Sequence, residues 1–118
     1  MIESSLRTLS EHPDYLVLKR VPQSLPHHTP SEERTFIATI VDLETMGLNP
    51  SQHEIIELGM LSFSFSADGI HSVVAQYNEL NNPGKPIPAE VTKVTGITDA
   101  DVQGKAIDWA RVAHLLQQ

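Results

Sequence analysis

The pattern of apolar and polar positions predicts three β-strands in the middle of the chain. Phe36 to Val41 is an apolar, largely β-branched run, typical of a central strand buried on both faces. His53 to Ser66 reads as a longer strand, and Ile70 to Tyr77 as a third, reached through the tight-turn signal Ala-Asp-Gly. The second half of the middle strand alternates, with Leu61, Phe63 and Phe65 on one face and Ser62, Ser64 and Ser66 on the other. Such short connections predict an antiparallel meander.

Other signals precede these strands. Ser4 to Glu11 has the apolar spacing of a short helix that stops before a proline, and Tyr15 to Leu18 predicts a short strand. Val21 to Arg34 is rich in proline and polar residues, which indicates a linker or mobile loop. We therefore expect residues 1–34 to form an extension and the compact domain to begin near residue 35.

Helical signals follow the strands. Ala89 to Val94 predicts a short helix that Gly96 ends, and Thr98 with Asp101 three residues later resembles an N-cap box. Asp108 is suited to cap a last helix. Its apolar stripe, which we expect to lie in the core, is Trp109, Val112, Ala113 and Leu116.

Composition narrows the class of protein. The 118 residues allow one small α/β domain, and the absence of cysteine excludes disulfides and thiolate metal sites. No apolar run approaches a membrane span and the N-terminus does not resemble a signal peptide, so we expect a cytoplasmic protein with no membrane partner. A net charge of −7 disfavours nucleic-acid binding by bulk electrostatics. It does not disfavour an enzyme whose acids hold divalent cations against a phosphate.

The first strand ends in two acids, Asp42 and Glu44. Alternation places them on one face, with Cα atoms roughly 6–7 Å apart. Two carboxylates at that spacing can bind one Mg²⁺ at about 2.0–2.1 Å. An Asp-x-Glu pair alone is more often a solvated strand end. Here, however, it follows a very apolar strand, and Thr45, Met46 and Gly47 add a hydroxyl, an apolar side chain and a close backbone approach.

The stretch VDLETMGLNPSQHEIIELGML resembles the first motif of the DEDD superfamily of 3′–5′ exonucleases, the group that contains the epsilon proofreading subunit of DNA polymerase III. PIPAEVTKVTG, followed by ITDADV, matches a second family segment. The resemblance implies a ribonuclease H-like fold over 35–118, a two-metal site with Mg²⁺ or Mn²⁺, and a nucleic-acid 3′ end as partner. Single-stranded DNA is the expected form of that partner, and the sequence does not decide between DNA and RNA.

Residue by residue, the resemblance implies that Asp42 and Glu44 are catalytic metal ligands. It implies that substrate contacts come from Thr45, Met46, Gly47, Glu90 and Thr95. Where this chain has Met46 the family motif has a second threonine, and the polymerase subunit has histidine where this chain has Thr95. For Glu90, an exposed acid in the first turn of a helix is the competing interpretation.

The second and third family motifs, which carry the remaining metal acids and a histidine or tyrosine, do not occur in these residues. Asp99, Asp101 and Asp108 sit at predicted helix starts, where capping explains them. We therefore expect the N-terminal half of an exonuclease domain, present as a fragment or a truncated gene product and inactive alone. The alternative is a non-catalytic module that binds nucleic acid or protein, and an open reading frame that continues into the second motif would favour the enzyme.

The remaining candidates are weaker. His27 and His28 lie in the proline-rich stretch without a third ligand, and His53 and His71 are expected at the surface. The sheet edge left open by the first strand predicts a homo-oligomer.

Overall fold

The computed structural model describes residues 1–18, 27–29 and 34–117. Its elements are α1 (Ile2–Glu11), β1 (Phe36–Thr45), β2 (Ile55–Ser66), β3 (Gly69–Leu80), α2 (Ala89–Thr95) and α3 (Trp109–Leu116). The strands form one antiparallel sheet in the order β1-β2-β3. This confirms the predicted α/β class and the meander, and it is consistent with part of a ribonuclease H-like exonuclease fold. Across the described ranges, no helix combines the length and apolar character needed to cross a membrane.

Two predictions about the N-terminal region have different outcomes. The prediction of a strand at Tyr15 to Leu18 is wrong, because these residues pair with none of the three strands of the described sheet. Most of the predicted linker, residues 21–26 and 30–33, lies outside the described residues.

The position of β1 corrects the interpretation of its sequence. Within the described chain β1 pairs only with β2 and is an edge strand, not a central one. Its apolar side chains stay largely in solvent, and Ile40 is 58% exposed. β1 is also longer than predicted, so both of its acids lie within the strand and not beyond its end.

The two faces of the sheet have different surroundings. Leu58 and Met60 of β2 pack against Ile107 and against Val112 and Leu115 of α3, and we call this side the helix face. The opposite side carries Asp42, Glu44, Glu57, Gly59 and Leu61, and we call it the acid face. No described helix covers the acid face.

The serines of β2 lie on the helix face, where Ser62 and Ser66 are buried. Burial is tolerable because each hydroxyl has a partner: Ser62 bonds Thr39 Oγ1 at 2.8 Å, and Ser66 bonds His71 Nε2 at 2.9 Å. His71 is consequently buried, and the expectation that it lies at the surface is wrong. Its Nδ1 also reaches the His28 carbonyl at 2.8 Å, which attaches residues 27–29 to the start of β3.

A second core cluster joins the end of the sheet to the loops that follow β3. Its buried members are Met46, Ile56, Ile87, Ile97 and Val102, with Val91 of α2 packed against them. As predicted, Gly96 ends α2 in the left-handed conformation, with φ of 77°.

The three aspartates that follow α2 have structural partners. Asp99 accepts the Ile87 amide at 2.8 Å, and Asp108 caps α3 by accepting the Arg111 amide at 3.0 Å. Asp101 forms the predicted reciprocal bonds with Thr98, but the residues after it form turns, not a helix.

The apolar stripe of α3 is rotated relative to the prediction. Val112 and Leu115 are its buried residues, whereas Trp109 is 54% exposed and Leu116 is also exposed. The expectation that Trp109 lies in the core is therefore wrong, because the helix turns its 112 and 115 positions toward the sheet.

Candidate active site

The candidate site is centred on two carboxylates of β1. Asp42 pairs with Gly59 and Glu44 pairs with Glu57 in a regular antiparallel ladder, so both acids project from the acid face. Asp42 is exposed and Glu44 is half-buried. Immediately after Glu44 the register shifts by one residue, which ends the regular ladder and turns the chain into the loop 46–54.

The two carboxylates are free to bind a cation. In the described part of the chain neither forms an internal hydrogen bond or an ion pair; the salt bridges there are His12–Asp14 and Lys105–Glu79. Carboxylate oxygens are the donors that Mg²⁺ and Mn²⁺ prefer. The donor set therefore fits a hard divalent cation.

Glu57 adds a third acid on the same face but does not complete a metal site. It lies directly opposite Glu44, and like charges in that relation repel each other. Nevertheless, no three His, Cys, Asp or Glu side chains in the described ranges converge closely enough to hold a metal ion. Two protein ligands leave most of an octahedral shell to water, so affinity from these residues alone is weak.

The region that matches known proteins includes this candidate site. The model of the RNase T family, described as exonuclease, matches residues 39–115, well over half of the chain. The chain belongs to this exonuclease family. The resemblance to the DEDD superfamily is thereby confirmed, and membership supports a nuclease-type function.

Individual relatives of this exonuclease-family chain are much longer proteins. It is 33% identical over 93 residues to a DNA polymerase III PolC-type protein of Thermotoga petrophila, and 36% identical over 90 residues to a DNA polymerase III subunit epsilon-like protein of Rhodobacter capsulatus. A PolC-type protein of Streptococcus pyogenes is 33% identical over 90 residues. These matches cover 77%, 75% and 75% of the chain, respectively. The chain spans only 6%, 12% and 6% of the three relatives.

The residues after Glu44 are held by local contacts. Thr45 Oγ1 donates to the Gly47 carbonyl at 2.7 Å, so this hydroxyl already has a partner. Met46 is 8% exposed and belongs to the second core cluster, which leaves mainly its backbone for a substrate contact. Their assignment to the nucleotide subsite stays a prediction.

His53, which the sequence analysis assigned to the surface, holds the conformation of the loop 46–54. His53 is half-buried, and its Nδ1 accepts the Asn49 amide at 3.0 Å. The ring lies against Gly47 so closely that a Cβ added there would be 2.5 Å from Cε1 and 2.9 Å from Cγ. A glycine followed six residues later by histidine gives no recognisable signal of this contact before the loop is folded.

The two predicted substrate residues of α2 lie at opposite ends of that helix. Glu90 is exposed in the first turn, and Thr95 is half-buried in the last. The Thr95 hydroxyl donates to the Val91 carbonyl at 2.9 Å and accepts the Ile97 amide at 3.1 Å. Because Val91 packs on the cluster that contains Met46, α2 is connected to the 45–47 loop through the core. Substrate roles for Glu90 and Thr95 remain predictions.

Proposed function

We propose that this chain supplies the first motif of a metal-dependent 3′–5′ exonuclease domain that hydrolyses terminal phosphodiesters of DNA or RNA. The observation that carries the proposal is a pair of carboxylates, Asp42 and Glu44, on one open face of the sheet and without partners among the described residues, in a chain of the exonuclease family. We assign residues 35–118 to the N-terminal half of that domain and residues 1–34 to an extension.

In this proposal each part of the chain has its own task. Asp42 and Glu44 hold Mg²⁺ or Mn²⁺, and the 45–47 loop borders the 3′-terminal nucleotide. When bound, the cation polarises the scissile phosphodiester and activates the attacking water. Glu90 and Thr95, on the helix that packs behind the loop, border the same nucleotide.

Metal binding is the first test. Titration with Mn²⁺ under amide NMR should broaden the resonances of Val41 to Gly47 before others, because paramagnetic broadening falls steeply with distance. We expect weak binding because the protein contributes two ligands. Asp42→Ala should remove the effect, and broadening centred elsewhere in the wild type would show that the site assignment is wrong.

Activity is the second test. We expect the 118-residue polypeptide, purified alone, not to degrade a single-stranded oligonucleotide with Mg²⁺ or Mn²⁺, because loss of any element of such a site costs orders of magnitude in rate. A longer chain that includes the second and third motifs should degrade it, and Asp42→Ala in both chains controls for a contaminating nuclease. Digestion by the short chain that Asp42→Ala abolishes would mean that other acids, such as Asp99, Asp101 or Asp108, or those of a second copy, complete the site.

A non-catalytic binding module remains the second candidate. The observation in its favour is that no three His, Cys, Asp or Glu side chains of the described residues converge closely enough to hold a metal ion. Mn²⁺-dependent oligonucleotide binding without hydrolysis by the longer chain would support the module. Hydrolysis by that chain would exclude it.

A further inference from the structure

Gly59 is a glycine that the fold does not explain. It lies in the interior of β2, the central strand of the described sheet, and pairs in regular register with Asp42 on one side and Asn78 on the other. It is not among the glycines with positive φ. The register shifts of β2 lie elsewhere, at Ile56 in the pairing with β1 and after Ser62 and Ser64 in the pairing with β3. A Cβ added at Gly59 would meet only the Asp42 carbonyl oxygen, at 4.0 Å, which is ordinary contact.

Glycine at such a position weakens the strand, since it adds backbone entropy to the unfolded chain and gives no side chain to pack. Where neither conformation nor crowding among the described residues requires a glycine, the remaining reason is the close approach of a ligand or another backbone. The space above Gly59 lies on the acid face, directly beside Asp42.

The surroundings of this space indicate which ligand it suits. Asp42, Gly59, Gln76 and Asn78, all on the acid face, line one open depression. Its border also includes two residues of the helix-face side, Arg111 of α3 and Glu79, whose carboxylate is paired with Lys105. Asp42 and Asn78 are two strand spacings apart, about 10 Å between Cα atoms, and only a glycine lies between them. The depression thus offers a metal-binding carboxylate on one side and amide groups on the other.

Arg111 supplies the cation that an acidic chain needs to bind an anion. It is exposed, and its guanidinium lies 5.6 Å from the centre of the Tyr77 ring. Its side chain has no acidic partner within the described ranges, where the one lysine or arginine salt bridge joins Lys105 to Glu79. An arginine that is held by a ring and not neutralised by a carboxylate is suited to a phosphate.

We propose that the depression over Gly59 binds the sugar–phosphate backbone of a nucleic-acid strand, with Gly59 as its floor and Arg111 as a phosphate contact. The proposal rests on the proposed function, because Asp42 then holds the cation at one end of the same depression. Gly59 admits the strand close to that cation, and any larger side chain at this position would separate the two.

The test is an amide NMR titration of the full chain with a short oligothymidylate in the presence of Mg²⁺. Gly59→Val should weaken binding about tenfold or more, since atoms inserted into a fitted site cost one to two orders of magnitude. Gly59→Ala, whose Cβ the fold accommodates, should weaken binding less and provides a second variant if valine disturbs folding. Ala38→Val is the matched control. It adds a β-branched side chain to the same face of the sheet, four residues before Asp42 on β1.

Arg111→Gln tests the phosphate contact through salt dependence. Loss of one contact should lower the slope of log affinity against log salt by about 0.7 for a single strand. The matched control is Arg34→Gln, which removes an arginine that also lies over an aromatic ring, 5.2 Å from the centre of Phe36. That control should leave the slope unchanged.

The outcomes separate this proposal from the proposed function. If Mn²⁺ broadens Val41 to Gly47 but Gly59→Val binds the oligonucleotide as tightly as Ala38→Val, the strand path is wrong and the metal anchor stands. The same conclusion follows if the wild type binds Mn²⁺ there and no oligonucleotide. If the wild type binds neither, both proposals fail.

Discussion

The contact between Gly47 and His53 allows a sharp test of how the candidate site is built. Gly47→Ala places a methyl group within 3 Å of ring atoms of His53, closest to Nδ1. Gly47 does not adopt a positive φ, so alanine has no backbone strain here and the ring contact is the whole effect. The ring has to move, and it then loses the Asn49 amide that Nδ1 accepts at 3.0 Å.

Two contributions determine how much Gly47→Ala lowers the free energy of unfolding. Forcing atoms into an occupied space costs about 1–3 kcal/mol, and a lost hydrogen bond about 0.5–1.5 kcal/mol. We therefore expect Gly47→Ala to lower the free energy of unfolding by about 1.5–4.5 kcal/mol, and His53→Ala by about 1 kcal/mol. With no ring to meet, Gly47→Ala in the His53→Ala background should cost almost nothing, so the two substitutions should be strongly non-additive.

Urea denaturation at low protein concentration measures these differences, provided that the m value stays constant across the four proteins. Gly59→Ala is the control: the same substitution at a glycine with free space should be neutral or stabilising by about 0.5–1 kcal/mol. Additive losses from Gly47→Ala and His53→Ala would refute the contact as the reason for the glycine.

Three further predictions concern the core, one carboxylate and the sheet edge. Met46→Ala should cost about 2–5 kcal/mol because Met46 is buried in the second core cluster, whereas Leu48→Ala, at a fully exposed position, should stay within about 0.5 kcal/mol in the same denaturation assay. The side-chain and backbone hydrogen bonds from Thr98 lower the pKa of Asp101, so its stabilising effect is complete above the ordinary aspartate pKa and is lost as the pH falls through the lowered value. A carboxyl NMR titration should give a midpoint below that of ordinary aspartate, and Thr98→Val should raise it. The outer edge of β1, which no described strand pairs with and which exposes large apolar side chains, should promote association. Light scattering that shows a clean monomer at high concentration would contradict this.

The meander could be predicted from sequence because its signals are local. Alternation in β2, the turn before Gly69 and the glycine after α2 each require only neighbouring residues, and all three are found in the structure. Placement of Asp42 and Glu44 on one face needs only the two-residue repeat of a strand, and that also agrees.

The features that the sequence did not reveal depend on partners far along the chain. The apolar run of β1 has the same composition whether another strand lies beside it or not, so its composition indicated a strand buried on both faces, and only the order of strands in the predicted meander indicated an open edge. Alternation along β2 separates the serines from the apolar residues but does not tell which face is buried. Ser62 and Ser66 are buried because Thr39 and His71 satisfy their hydroxyl groups. The buried positions of α3, Val112 and Leu115, lie to one side of the predicted stripe, which shares only Val112 with them. On a short helix with several neighbouring apolar positions, the sequence does not decide which of these positions face the core.

In this exonuclease-family chain, one face of the sheet packs into the core and the opposite face carries the candidate site. The helix face is occupied by α3 and carries the core cluster of Leu58 and Met60, so its side chains are fixed by packing. The acid face carries unpartnered carboxylates, a glycine without a structural reason and no covering helix in the described residues. Alternation along a single strand, β2, thus places Leu58 in the core and Gly59 beside Asp42. A substitution that fills the acid face at Gly59 can therefore disturb ligand binding without disturbing the core, and the comparison of Gly59→Ala with Gly47→Ala uses this separation.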